Sequence, residues 1–218
     1  MEKKDFKKYC FVAFGELALD VTYDENCVIR EVGGVSAFNT IYNLSLFGEE
    51  TYAVGGVGID LNAFKSINSL KNSFTNTDYI KFIQKPTNVF YIYKPKKVSK
   101  DDEVKIARNS PLTGKSSIEW SNKLCTNLPK ELENRNIILV VSNFEEVTRD
   151  FIQNTRTKCN DCVVSLDITN SKIFERFSKE YLWNFLSSVD LLQCNVKTFE
   201  ALCKKLDIST RTRFVFKT

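Results

Sequence analysis

Residues 33–39 read Gly33-Gly34-Val35-Ser36-Ala37-Phe38-Asn39, a glycine pair running straight into a helical pattern. Ala37, Ile41 and Leu44 share one face of that helix, and Gly48 is placed to stop it. On the N-terminal side, Cys10–Phe14 is a short apolar strand that delivers Gly15 and Glu16, with Asp20 just beyond. On the C-terminal side, Thr51–Val54 reads as a strand leading into Gly55-Gly56-Val57-Gly58-Ile59-Asp60. Asp60 is a good N-cap for a helix whose apolar stripe is Leu61, Phe64, Ile67 and Leu70. The same rhythm continues further along. Ile137–Ser142 and Cys162–Leu166 are continuous apolar strands, each followed by a helical pattern. Leu191–Cys194 leads into a helix with Phe199, Leu202, Cys203 and Leu206 on one face, and Arg213–Lys217 reads as one more strand.

Buried strands alternating with amphipathic helices predict an α/β domain with a mostly parallel sheet and helices on both faces. Two stretches break the rhythm. Val21–Val32 alternates weakly, and Val89–Ile106 is strand-like but interrupted by the Lys-rich turn Lys94–Lys100. Both suit a small β lid beside the main sheet, with strands at roughly 21–32 and 89–106. The polar segment Arg108–Ser121 is the expected long loop.

A chain of 218 residues fits a single domain spanning 1–218, with 43% apolar and 27% charged residues as in ordinary globular proteins. The net charge is only +4, from 31 basic against 27 acidic residues, and the lysine pairs are scattered along the chain, which reads as solvated surface rather than a nucleic-acid footprint. There is no histidine, which excludes Ser-His-Asp and Cys-His catalysis and removes the commonest metal ligand. Seven cysteines at irregular spacing, with no secretory signal before them, point to reduced thiols in the cytoplasm. Cys159 and Cys162 form a CxxC, but with no second pair and no histidine they read as incidental thiols, and no metal is expected. No stretch approaches a membrane span. Gly114-Lys115-Ser116 imitates the tail of a P-loop, yet Asn109 stands where its first glycine belongs and no apolar strand precedes it.

In open α/β sheets, ligands bind outside the carboxyl ends of the strands. The residues expected there are Gly15 and Glu16 with Asp20, then Ser142 and Asn143, Asp167, and Asn195. Acidic and amide side chains of this kind suit a hydroxyl-rich ligand, and they equally suit helix capping.

Together, Gly15-Glu16 with Asp20, Gly33-Gly34 with Asn39, and Gly58-Ile59-Asp60 resemble the N-terminal signature of the ribokinase-like (PfkB) carbohydrate kinases. The resemblance is close over residues 10–60 and looser afterwards. It implies a ribokinase-like, Rossmann-like fold with a β lid that often serves as a dimer interface. It also implies that Asp20 and Asn39 hold sugar hydroxyls, and that Gly33 and Gly34 leave room for the sugar. Asp167-Ile168-Thr169-Asn170-Ser171-Lys172 resembles the family's Asp-x-Asn-x-Arg, with one extra residue and lysine for arginine. Asn195-Val196-Lys197-Thr198 stands where the family has Asn-x-x-Glu, a motif linked to magnesium and phosphate; Thr198 replaces the acid unless Glu200 takes its role.

The implied substrate-binding residues are thus Gly15, Asp20, Gly33, Gly34, Asn39, Asn143 and Asp167, and the implied cofactor-binding residues are Asn195 and Glu200. The family's catalytic base lies in a Gly-Ala-Gly-Asp segment, and these 218 residues contain none. The chain ends on the strand-like Phe214-Val215-Phe216, which looks cut. The expectation is a C-terminally truncated carbohydrate kinase whose base lies beyond Thr218. The complete family member uses ATP and Mg2+, and neither is expected to bind this chain tightly. A non-catalytic sugar-binding or interaction module is the alternative.

Overall fold

The computed structural model describes residues 9–24, 27–93, 105–109, 127–168 and 171–209. The expected strand at 213–217, the Lys-rich turn and most of the 108–121 loop lie outside them. Six parallel strands form the main sheet: β1 (Tyr9–Glu16), β4 (Thr51–Val57), β5 (Asn76–Phe82), β8 (Asn136–Val141), β9 (Asp161–Ile168) and β10 (Leu191–Cys194). Their order is β10-β9-β8-β1-β4-β5. The chain moves outward from β1 in one direction and then returns to add β8 on its other side, so the topological switch point lies at β1.

Helices cover both faces, as expected. On one face α1 (Ser36–Leu46) and α2 (Leu61–Asn72) bury Ala37, Phe38, Ile41, Ala63, Ile67 and Leu70 against Ala13, Ala53, Val57 and Val140. On the other, α3 (Glu146–Lys158), α4 (Lys179–Leu186) and α5 (Val196–Leu206) pack on Val12, Phe14, Leu139 and Val141. Phe14 of β1 stacks on Phe151 of α3 with ring centroids 3.9 Å apart, so the central strand is clamped by an aromatic pair.

The second sheet contains β2 (Ala18–Asp24), β3 (Cys27–Gly34), β6 (Val89–Tyr93) and β7 (Lys105–Asn109), in the order β3-β2-β6-β7. It is a small separate sheet, as expected, but where stretches of roughly 21–32 and 89–106 were expected the strands run 18–24 and 27–34, then 89–93 and 105–109. Its first strand begins at Ala18, so Asp20 belongs to the second sheet rather than to a loop after β1. The β2–β6 pairing is parallel and the other two are antiparallel.

The apolar stripe of α2 differs from its sequence reading. Leu61 and Phe64 are 70% and 54% exposed, while Ala63, Ser66, Ile67 and Leu70 are buried. The helix turns its small residues inward because β3 lies very close. A Cβ on Gly33 would fall 2.5 Å from the Ser66 carbonyl oxygen, and Ser66 Oγ donates to the Ala18 carbonyl at 3.1 Å. Strand β5 also escaped the sequence reading. Asn76-Thr77-Asp78-Tyr79-Ile80-Lys81-Phe82 is half polar, as befits an edge strand.

Candidate functional site

Asp20 stands near the start of β2, shortly beyond the carboxyl end of β1. Its carboxylate is buried, at 7% exposure, and accepts a 2.9 Å hydrogen bond from Asn39 Nδ2. The Val35 N–H also bonds this carboxylate. Val35 is the N-cap of α1 and has φ 73°, a left-handed conformation that is costly for a β-branched residue. Burial pushes the Asp20 pKa up; the Asn39 amide, the Val35 N–H and, at longer range, Arg30 oppose the shift.

The two glycines of the pair have separate reasons. A Cβ at Gly34 would collide with the Asp20 carboxyl group itself. Gly34 therefore makes room for the acid, and Gly33 makes room for Ser66 of α2. The sequence reading expected both to leave space for a ligand.

Asp167 enters from the end of β9. Its carboxylate accepts a hydrogen bond from Ser36 Oγ, one residue after Val35, and burial raises its pKa. The start of α1 thus touches two acids, Asp20 through Val35 and Asp167 through Ser36. No sequence signal marked Val35 or Ser36 beyond their place between the glycine pair and Asn39.

Asn143 is 4% exposed and points its Nδ2 at Gly15, where a Cβ would lie 3.9 Å away. Its Oδ1 is already used, accepting from Thr148 Oγ1 and from the Glu145 N–H at the start of α3. Capping and ligand binding were both open for this residue; the oxygen caps and the amide N–H group faces the β1 end.

Asn195 and Glu200 lie apart, three strands from β1 at the β10 edge. Asn195 Oδ1 caps α5 by accepting from the Thr198 N–H at 2.8 Å. Thr198 is 2% exposed, and Glu200 faces outward. Beside β10 runs an apolar groove of about 610 Å³, lined by Trp183, Leu192, Phe199 and Leu202 and by none of the predicted site residues. Among the described residues no three metal-ligating side chains come together, and no helix is long and apolar enough to cross a membrane.

No family model matches the sequence, and no curated protein matches it. Solved structures do resemble it. The nucleoside kinase of Methanocaldococcus jannaschii, an archaeal member of the ribokinase family, matches with TM-score 0.65 at 18% identity, over 93% of this chain and 66% of that one. The 2-dehydro-3-deoxygluconokinase of Thermotoga maritima gives 0.72 at 17% identity, over 94% and 64%. The fructokinase of Xylella fastidiosa, with bound ATP, gives 0.71 at 16% identity, over 93% and 62%. The chain therefore spans somewhat under two thirds of the length of these neighbours. With its parallel sheet between helices and a second sheet entering beside β1, the chain has the ribokinase-like α/β fold seen in PfkB carbohydrate kinases.

Proposed function

We propose that this chain carries the hydroxyl-recognition part of an ATP-dependent carbohydrate kinase of the ribokinase type. The observation that carries the reading is the Asp20 carboxylate, buried at the switch point and held by Asn39 and Val35 over Gly34. A carboxylate so placed can accept hydrogen bonds from neighbouring sugar hydroxyls, and Asn143 Nδ2 and Asp167 supply a further donor and acceptor at adjacent strand ends. Phosphoryl transfer would also need a base and a set of N–H donors around the phosphoryl oxygens. The Asp20 cluster supplies neither, and we assign tight ATP and Mg2+ binding to no described residue. The six cysteines among the described residues are free thiols, which suits a cytoplasmic setting. Pairing of two copies through the second sheet is part of the reading, supported by its edge strand β3, where Val28 and Ile29 are about half exposed.

A second reading, a non-catalytic sugar-binding module, is favoured by Asn195, whose Oδ1 is spent on capping α5 through the Thr198 N–H.

Calorimetric titration of the 218-residue chain with pentoses, hexoses, 2-keto-3-deoxy acids and nucleosides, with and without ATP, tests both. Sugar binding that Asp20→Ala and Asn39→Ala each abolish supports the site, and ATP-dependent product formation selects the kinase reading. Binding unaffected by both substitutions would sink the site.

A further inference from the structure

Both passages from the main sheet to the second sheet cross at one point. Leu17 joins β1 to β2, and residues 83–88 join β5 to β6. Beside Leu17, the Glu16 carboxylate accepts a 2.6 Å hydrogen bond from Asn88 Nδ2. The two residues are 6% and 2% exposed and lie 72 positions apart in sequence. Next to them the Leu19 N–H donates to the Asn88 carbonyl at 2.9 Å, one step before the β2–β6 ladder begins.

The turn before α2 grips the second passage from the other side. Asp60 Oδ1 caps the helix through the Ala63 N–H, and its Oδ2 accepts from the Thr87 N–H at 2.7 Å. The Ile59 N–H donates to the Lys85 carbonyl at 3.3 Å. A Cβ on Gly58 would strike the Lys85 carbonyl and the Thr87 nitrogen. The Gly58-Ile59-Asp60 element thus holds the backbone that enters the second sheet.

We propose that Glu16 is a positioning residue: its buried hydrogen bond to Asn88, backed by the Gly58–Asp60 turn, fixes the second sheet and the Asp20 it carries against the end of β1. The inference rests on the hydroxyl-recognition reading above. Asp20 lies three residues beyond Leu17, so any rotation of β2 about the crossing point displaces its carboxylate directly. Burying a carboxylate is unfavourable unless it is hydrogen-bonded, and a hydrogen bond to a charged acceptor is stronger than one between neutral groups. A carboxylate–amide pair therefore makes a stiffer junction than an apolar contact of the same size.

Hydrogen exchange of β2 and β6, measured against β1 and β4 in the whole chain, tests this together with titration of the sugar panel. Glu16→Ala should speed exchange in β2 and β6 by about tenfold or more while β1 and β4 stay as in the wild type. Glu16→Gln keeps an acceptor for Asn88 without the charge and should fall between wild type and Glu16→Ala. The exchanged pair Glu16→Gln with Asn88→Glu should recover most of the protection. Should Glu16→Ala not fold, Asn88→Ala is read in the same way. Sugar affinity should fall and recover in step with β2 and β6. Equal acceleration in all four strands, or none in β2 and β6, would overturn the proposal. A wild-type chain that binds no sugar of the panel would defeat the hydroxyl reading, and the strand-selective exchange would still decide the junction.

Discussion

Asp20 accepts Asn39 and Val35 at a cost, because most of its surface is withdrawn from water. Its native pKa lies above the ordinary value of 3.8, so the folded chain binds this proton more tightly than the unfolded one. The associated stability is complete below that ordinary value and is lost as pH rises through the native pKa. Asp20→Asn should therefore be more stable than the wild type at pH 7, with the advantage shrinking as pH falls toward 4; urea melts at several pH values read this. The same substitution should weaken sugar binding at neutral pH. Wild-type affinity should begin to fall at a higher pH than an ordinary aspartate would give. Gly34→Ala should leave the fold recognisable by circular dichroism yet lower sugar affinity by about a hundredfold, since the new methyl displaces the Asp20 carboxyl. An affinity within threefold of wild type would show that the collision is relieved by backbone movement.

Among the elements, the strands with continuous apolar runs were legible and the half-polar ones were not. β1, β4, β8 and β9 announced themselves because both faces of a central parallel strand are buried. β5 did not, since one side of it has no neighbour in the sheet. The N-cap of α2 was legible in Asp60, but not its second bond to the Thr87 N–H across 27 residues. Asp60→Ala removes both contacts at once. Loss of the cap costs about 1 kcal/mol, and a Thr87 N–H left without its partner adds about 1–3 kcal/mol. The expected total is about 2–4 kcal/mol in equilibrium urea unfolding. A loss near 1 kcal/mol would mean that the Thr87 N–H finds water.

Across the whole molecule, the hydroxyl cluster is built from parts that no single element holds. Asp20 comes from the second sheet, Asn39 and Val35 from α1, Asp167 from β9 and Asn143 from the loop after β8. A ligand bridging them should stabilise the native chain by about 2.7 kcal/mol at a hundredfold excess over its Kd. Thermal melting of the wild type with a binding sugar should rise accordingly, and Asn39→Ala should show no rise. A rise preserved in Asn39→Ala would place the ligand elsewhere, and the apolar groove beside β10 would be the next place to look.

Resemblance to the PfkB signature put forward Gly34 and Asn39 as candidates, while periodicity and punctuation were enough for the alternation of strand and helix, the presence of a second sheet and the place of Asp20 just beyond a strand end. These follow from local rules: a strand or helix pattern is written in neighbouring residues, and a glycine pair before a helix limits what can approach it. The tertiary structure alone decided the partners. It showed that Gly34 faces a carboxyl group, that Gly33 faces Ser66, and that Ser36 reaches Asp167 across 131 residues. It also divided Asn143 and Asn195 between capping and exposure to the site. It joined Glu16 to Asn88 at the junction of the sheets. A buried polar group must find a partner, but its own sequence neighbourhood does not say which distant residue the fold will bring to it.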